Sequence, residues 1–278
     1  MKTRFLILFF LSVKLTIFAQ EHNADSITNQ KIIVPDMYSS VNNALEIAKA
    51  GDTIYLKNGV YHENIIICKK IFLIGEDRCN TIISGDRKHP CITIWSPASG
   101  SEVINLKIIN GSIGIRSENT SCRIENTVIT KNMQAGIHAI MWIGNVSNNC
   151  IIDNNIDGIF LESVQSKKAA ISNNVLLNNG FAGIYCANRT FLEIKNNIIG
   201  NHHVGIFIDR QAYKSEITCN NIFGSSNPTN DNVAHFAMNT FIKPIFVFPG
   251  DPFFNYHLKD TTIFDWMEPS CGKIGLTK

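Results

Sequence analysis

The sequence predicts an all-β fold: a right-handed parallel β-helix, a solenoid of coils about 22 residues long with a short N-terminal capping helix. Three observations carry this prediction. The dipeptide Gly-Ile recurs at 114–115, 136–137, 158–159, 183–184 and 205–206, in steps of 22, 22, 25 and 22 residues. An Asn-rich element precedes each of the last four: Ile124-Glu-Asn-Thr-Val128, Val146-Ser-Asn-Asn-Cys150, Ile171-Ser-Asn-Asn-Val175 and Ile194-Lys-Asn-Asn-Ile198. The runs between them favour Ile, Val, Phe and Tyr, which is strand chemistry broken by turn residues. A fixed period in the twenties marks a solenoid. A leucine-rich repeat shares that period but needs a leucine framework that is missing here.

From the N-terminus, Lys2 and Arg4 precede an apolar run from Phe5 to Phe18, with Ala19 before the polar Gln20. This order is that of a secretory signal peptide, interrupted by Lys14 and too short for a comfortable membrane span. Residues 1–19 are therefore expected to be removed, with 20–31 a polar leader and 32–278 one domain. Within it, 32–51 forms an N-terminal cap, 52–224 the coils and 225–278 a C-terminal cap. In the cap, Ser39 or Ser40 precedes a helix whose apolar face is Val41, Ala44, Leu45 and Ala48, and Gly51 stops it.

Each coil of 22 extended residues has the length for three short strands joined by turns. Stacking places equivalent residues about 4.8 Å apart. The first Asn of each element (Asn126, Asn148, Asn173, Asn196) is expected to form a column, adopting left-handed turns and bonding amide to amide. The element Ile217-Thr-Cys-Asn-Asn-Ile222 reads as a further copy with one inserted residue. The glycines of the Gly-Ile pairs are expected at a bend that admits no side chain.

Composition narrows the function. The net charge is +2 and charged residues make up 17% of the chain, which gives no support for nucleic-acid binding, where a concentrated basic patch is expected. Eight cysteines, at 68, 79, 91, 122, 150, 186, 219 and 271, suit an oxidising compartment. None forms a CxxC or Cys/His zinc pattern. Cys68 and Cys91, one coil apart, either stack or form a disulfide. The expected location is secreted or periplasmic, and the expected state a monomer without a membrane span after cleavage.

The Asn-rich coils resemble the parallel β-helix repeats of the pectate-lyase-like superfamily, including NosD-type periplasmic proteins. The stretch Ser39–Glu63, with Gly51-Asp-Thr-Ile54 at its centre, is similar to the opening of pectinesterases. Leu73-Ile-Gly75, Thr81-Ile-Ile-Ser-Gly85 and the closing Asp251-Pro-Phe-Phe-Asn-Tyr-His-Leu258 extend the resemblance over roughly 32–275. It implies the fold and a polysaccharide or oligosaccharide partner. It carries no catalytic residue over: the pectinesterase Asp-Phe-Ile-Phe-Gly stretch and the polygalacturonase Asn-Thr-Asp, Gly-His-Gly and Arg-Ile-Lys motifs are missing. Asp157-Gly-Ile-Phe160, the nearest string, sits on the Gly-Ile repeat.

Candidate site residues follow from strand alternation. If the Ile after each Gly points inward, the next residue points out. Arg116, His138, Phe160, Tyr185 and Phe207 then stack on one face as substrate-binding candidates. Two positions on lie Glu118, Ile140, Glu162, Ala187 and Asp209. Aromatic faces beside carboxylates suit sugar rings, which present apolar C–H faces edged with hydroxyls. Glu162 and Asp209, two rungs or about 9.6 Å apart, are the candidate catalytic pair, near the spacing of inverting glycosidases. Arg210 beside Asp209 is the third catalytic candidate, suited to a uronate or a Ca²⁺-assisted elimination. No other cofactor is expected. The reading is thus a polysaccharide-binding β-helix, with a lyase or hydrolase of acidic glycans as the alternative. A NosD-like accessory role in metal-centre maturation is a minor one, to which the adjacent His202 and His203, in a turn before a Gly-Ile, would contribute copper or zinc ligands.

Overall fold

A computed structural model describes residues 29–210, 215–230, 235–246, 258, 271 and 273–276. The expected signal peptide, residues 20–28 of the leader and most of Asp251–Leu258 lie outside them. Among the described residues the strands form three parallel sheets of ten, eight and eight strands. The first sheet runs from Lys31–Val34 to His235–Ala237, the second from Gly59–Tyr61 to Asn221–Phe223, and the third from Ile65–Ile67 to Asn227–Thr229. Successive coils contribute one strand to each sheet, so the chain is a parallel β-solenoid.

The cap is built as its residues require. Ser40 accepts a hydrogen bond from Asn43 N (3.1 Å) and opens the helix Val41–Ile47. Glu63 closes the remaining donors: its carboxylate accepts from Val41 N (2.8 Å) and Asn42 N (2.9 Å). Buried Asp52 accepts from Gln30 N (2.8 Å) and Lys49 N (2.7 Å), tying the helix exit to the first coil. Asp52 and Glu63 of the pectinesterase-like stretch thus satisfy orphan backbone groups.

The interior is a stack of aliphatic side chains. Ile83, Ile108, Ile129, Ile151, Leu176, Ile199 and Ile222 line the second sheet, and Ile115, Ile137, Ile159, Ile184 and Ile206 line the third. The Gly-Ile glycines sit where coils touch. A Cβ on Gly183 would lie 2.5 Å from Ile199 Cγ2 and 2.7 Å from Gly205 O. The requirement is close approach, since their φ angles are not positive.

Asparagine supplies the turns, though in a different division of labour from that expected. Asn126, Asn148, Asn173 and Asn196 do take left-handed conformations, with φ of 50–57°. Asn126 Nδ2 donates to Asn105 Oδ1 one coil back (2.9 Å), as expected of that column, but the continuous amide ladder runs through the next residue. Asn149 Nδ2 donates to Asn174 Oδ1 (3.0 Å), Asn174 to Asn197 (3.0 Å), Asn197 to Asn220 (2.9 Å) and Asn220 to Asn239 (3.0 Å). The reason is orientation: the αL residue turns its side chain outward, and its successor points into the bend. A second ladder, unforeseen, runs Asn132 to Asn154 (2.9 Å) to Asn179 (3.0 Å) and ends on His202 Nε2 (3.1 Å).

Two further expectations are corrected. Ile217-Thr-Cys-Asn-Asn-Ile222 holds no insertion: Ile194 pairs with Ile217 and Ile198 with Asn221. Cys219 stands in the left-handed column (φ 60°) and forms a disulfide with Cys271. Cys68 and Cys91 are free thiols, one exposed and one buried. The disulfide places the end of the chain against the outside of the second sheet. There Phe246, Ile274, Leu258 and Leu276 pack on Val128, Cys150, Ile152, Val175, Leu177 and Ile198. These strands are therefore buried on both faces, which explains their uninterrupted apolar runs.

Candidate functional site

With the second sheet covered, the outer face of the third sheet carries the ring column. Its register pairs Arg116 with His138, His138 with Phe160, Phe160 with Tyr185 and Tyr185 with Phe207. Alternation places every one of them on the outside, each half-buried. His138 and Phe160 stack with centroids 4.6 Å apart and planes 20° apart. Phe160 and Tyr185 follow at 5.0 Å, and Tyr185 meets Phe207 edge-on at 4.7 Å. The rings are spaced as the strands are, so the column is a direct product of the 22-residue period. Trp95, 39% exposed, pairs with Glu118 at the neighbouring position of this face.

The second column runs Glu118, Ile140, Glu162 and Ala187 in register, and Asp209 N extends it by donating to Cys186 O (2.9 Å). Arg116 Nη2 is committed to Glu118 Oε2 (3.0 Å). His138 Nε2 lies 3.7 Å from Glu162 Oε2, beyond hydrogen-bond reach, so the pair is a loose electrostatic contact. Burial, assisted by Arg116, lowers the His138 pKa, with Glu162 opposing. His138 is therefore a neutral ring at neutral pH. Arg210 is exposed, and the link to Asp209 runs from its backbone N to Oδ1 (2.6 Å).

Three residues outside the predicted set belong to this face. Asn188, in a left-handed turn (φ 49°), donates through Nδ2 to Glu162 Oε1 (2.8 Å) and through N to Asp209 Oδ2 (3.5 Å). It bridges the two carboxylates that the sequence pairs. Phe181 packs beside Tyr185 (6.1 Å), Phe207 (5.8 Å) and His203 (5.8 Å), widening the aromatic surface. Asp157, on the strand that carries Phe160 and Glu162, is 6% exposed and accepts from Ala182 N (3.2 Å). Burial pushes its pKa up to about 6, only partly offset by that bond.

Asp157 and His202 make opposing contributions to stability. Burial lowers the His202 pKa to about 3 against ~6.5 unfolded. The stability it lends is present above the unfolded value and is lost as pH falls. Asp157 at about 6 stands above the ~3.9 of an unfolded Asp, so its share is present at low pH and lost as pH rises through 6. Between about pH 4 and 6 the two slopes cancel, each near 1.4 kcal/mol per pH unit. His202→Asn should make stability, relative to wild type, fall with pH across that window, and Asp157→Asn should make it rise. Urea unfolding at a series of pH values checks both signs; parallel curves for all three proteins would refute them.

The stacked coils define the class as a parallel β-helix. Within that class the chain belongs to the NosD family, since the model of the family described as periplasmic copper-binding protein (NosD) matches residues 51–243. Among solved structures it is similar to an alginate lyase from Paenibacillus sp. str. FPU-7. The TM-score is 0.54 at 14% identity, over 75% of this chain and 80% of that one, a likeness of fold. No curated protein sequence matches.

The family's name raises the question of copper, and the described residues do not fit such a centre. Among them no three His, Cys, Asp or Glu side chains converge as ligands. His202 is buried as the end of an asparagine ladder, while His203 is exposed against Phe181. Adjacent in sequence, they face opposite ways. Burial also raises the pKa of the Cys91, Cys122, Cys150 and Cys186 thiols, which disfavours the thiolate a metal needs.

Proposed function

We propose that this chain is an exported β-helix protein that binds polysaccharide along the outer face of its third sheet. The observation that carries the reading is the ring column His138–Phe160–Tyr185–Phe207, with centroid spacings of 4.6 to 5.0 Å. Rings packed on one another at the strand spacing offer a continuous apolar strip, rather than separate open ring faces, against which the C–H faces of a chain of sugars lying along the solenoid axis can pack. Glu162 and Asp209 flank them as hydrogen-bond acceptors. Membership of a family named periplasmic agrees with the apolar N-terminal run, which supports export. Tyr185→Ala with Phe207→Ala is expected to weaken oligosaccharide binding at least tenfold, about 1.4 kcal/mol. The fold should survive, because both rings are half-exposed. Titration calorimetry beside circular dichroism reads the two effects; unchanged affinity would dismiss the platform.

A second reading is favoured by one observation. Asp157, with a pKa near about 6, is poised for proton transfer close to neutral pH, and Glu162 and Asp209 lie along the same face. In that reading the face is the active site of a lyase or hydrolase. Mass spectrometry of glycans incubated with the protein, with and without Ca²⁺, separates the two. New oligosaccharides that vanish with Asp157→Asn, Glu162→Gln or Asp209→Asn would establish an enzyme.

A further inference from the structure

We infer that the third-sheet face takes a neutral glycan, whose hydroxyls donate to fixed carboxylates while its C–H faces lie on Phe160, Tyr185 and Phe207. The inference rests on the glycan reading above and adds the class of sugar. It starts from Asn188. By donating to Glu162 Oε1 (2.8 Å) and Asp209 Oδ2 (3.5 Å), Asn188 holds two carboxylates from alternate coils on either side of the Tyr185 rung. Both remain half-exposed, so they keep acceptor lone pairs for a ligand. Asp157, in the strand that carries Phe160 and Glu162, is buried with one oxygen engaged by Ala182 N, and it adds negative charge near Tyr185 rather than a contact for the ligand.

The charges around the rings decide the class. Arg116 is consumed by Glu118 at 3.0 Å, and desolvation favours neutral His138. His203 packs on Phe181. Arg189 and Arg210 are exposed in the turns beyond the column. Among the described residues, the groups that adjoin the rings and lack a cationic partner at hydrogen-bond distance are therefore carboxylates, with His138 Nε2 3.7 Å from Glu162. A polyuronate would bring like charges against Glu162 and Asp209, which is repulsive in a half-buried site. Sugar hydroxyls would instead donate charge-assisted hydrogen bonds to both. On this ground the ligand differs in charge from alginate, the substrate in the name of the structural neighbour.

The test is a titration of the protein with a neutral hexasaccharide, such as mannohexaose or cellohexaose, and with a uronate hexamer of equal length, at low and high salt. The expected result is neutral binding at least tenfold tighter and nearly independent of salt. Glu162→Gln and Asn188→Ala should each weaken it severalfold, and Glu162→Gln should raise affinity for the uronate. The class is overturned if the uronate binds more tightly, loses affinity with salt, and depends on Arg189 or Arg210. In that case the binding would still fall with Tyr185→Ala, so the glycan reading would stand. If neither hexamer binds, or binding ignores Tyr185→Ala, the glycan reading itself fails and the class with it.

Discussion

Replacing Gly183 with valine is expected to break the solenoid at its middle coils. The first added carbon would sit 2.5 Å from Ile199 Cγ2 and 2.7 Å from Gly205 O, distances real Cβ atoms do not adopt. One neighbour is a backbone carbonyl of the next coil, so relief requires the coils to separate and lose parallel hydrogen bonds. Overpacking with this consequence costs roughly 3 kcal/mol or more. In a domain of this size that corresponds to a fall in Tm on the order of 10 °C. Gly158→Val meets Gly183 O at 2.5 Å and should behave alike. Thermal unfolding followed by circular dichroism measures both. Unchanged Tm values would mean that the coils are not in this register.

Cutting the inner ladder at Asn174 should cost a comparable amount by a different route. Asn174 Oδ1 accepts from both Asn149 N and Asn149 Nδ2 at 3.0 Å, and its Nδ2 donates to Val146 O (2.8 Å) and Asn197 Oδ1 (3.0 Å). All of this is buried. Alanine leaves two orphan donors on Asn149, each costing about 1–3 kcal/mol, for a total of roughly 3 kcal/mol. Aspartate should be worse than alanine, because it sets an oxygen against Val146 O and Asn197 Oδ1 and buries a charge. Asn178→Ala is the contrast: that side chain is exposed and its bonds are replaced by water, so the cost should be only about 1 kcal/mol, mostly from placing Ala at φ 55°. Urea denaturation of the three variants orders them. Equal effects at Asn174 and Asn178 would refute the ladder as a source of stability.

What the sequence revealed depended on whether a residue's phase was fixed by the repeat. The Gly-Ile pair sets the phase of the third sheet, so alternation alone placed Arg116, His138, Phe160, Tyr185 and Phe207 on one face. The capping helix was legible from Ser40 and its apolar face. Within the Asn-Asn pairs the phase was misassigned, because both residues suit turns and only the bend shows which of them faces inward. The second ladder did have a signal: Asn132, Asn154 and Asn179 each stand four residues before a Gly-Ile glycine. His202, three residues before Gly205, hid its end. Asn188 and Phe181 keep the phase of the repeat, five residues after and two before Gly183, but the residue type at each position changes from coil to coil (Asn119, Met141 and Ser163; Gln134, Ile156 and His203), so no pattern singled them out. Asp157 was visible as a residue, but its burial, in register with Ala135 and Ala182, is revealed only by the stacking of the coils. The double burial of Cys150–Ile152 and Val175–Leu177 depends on a segment about a hundred residues away in the chain.

The most direct measurement is hydroxyl-radical footprinting of the protein, free and saturated with an oligosaccharide that it retains. Side-chain oxidation read by mass spectrometry reports each aromatic residue separately. Protection at Phe160, Phe181, Tyr185 and Phe207 is predicted, with Tyr55 and Phe72 of the first sheet unchanged. Protection confined to the first sheet, or none on the third, would contradict the assignment of the ring column as the glycan-binding face.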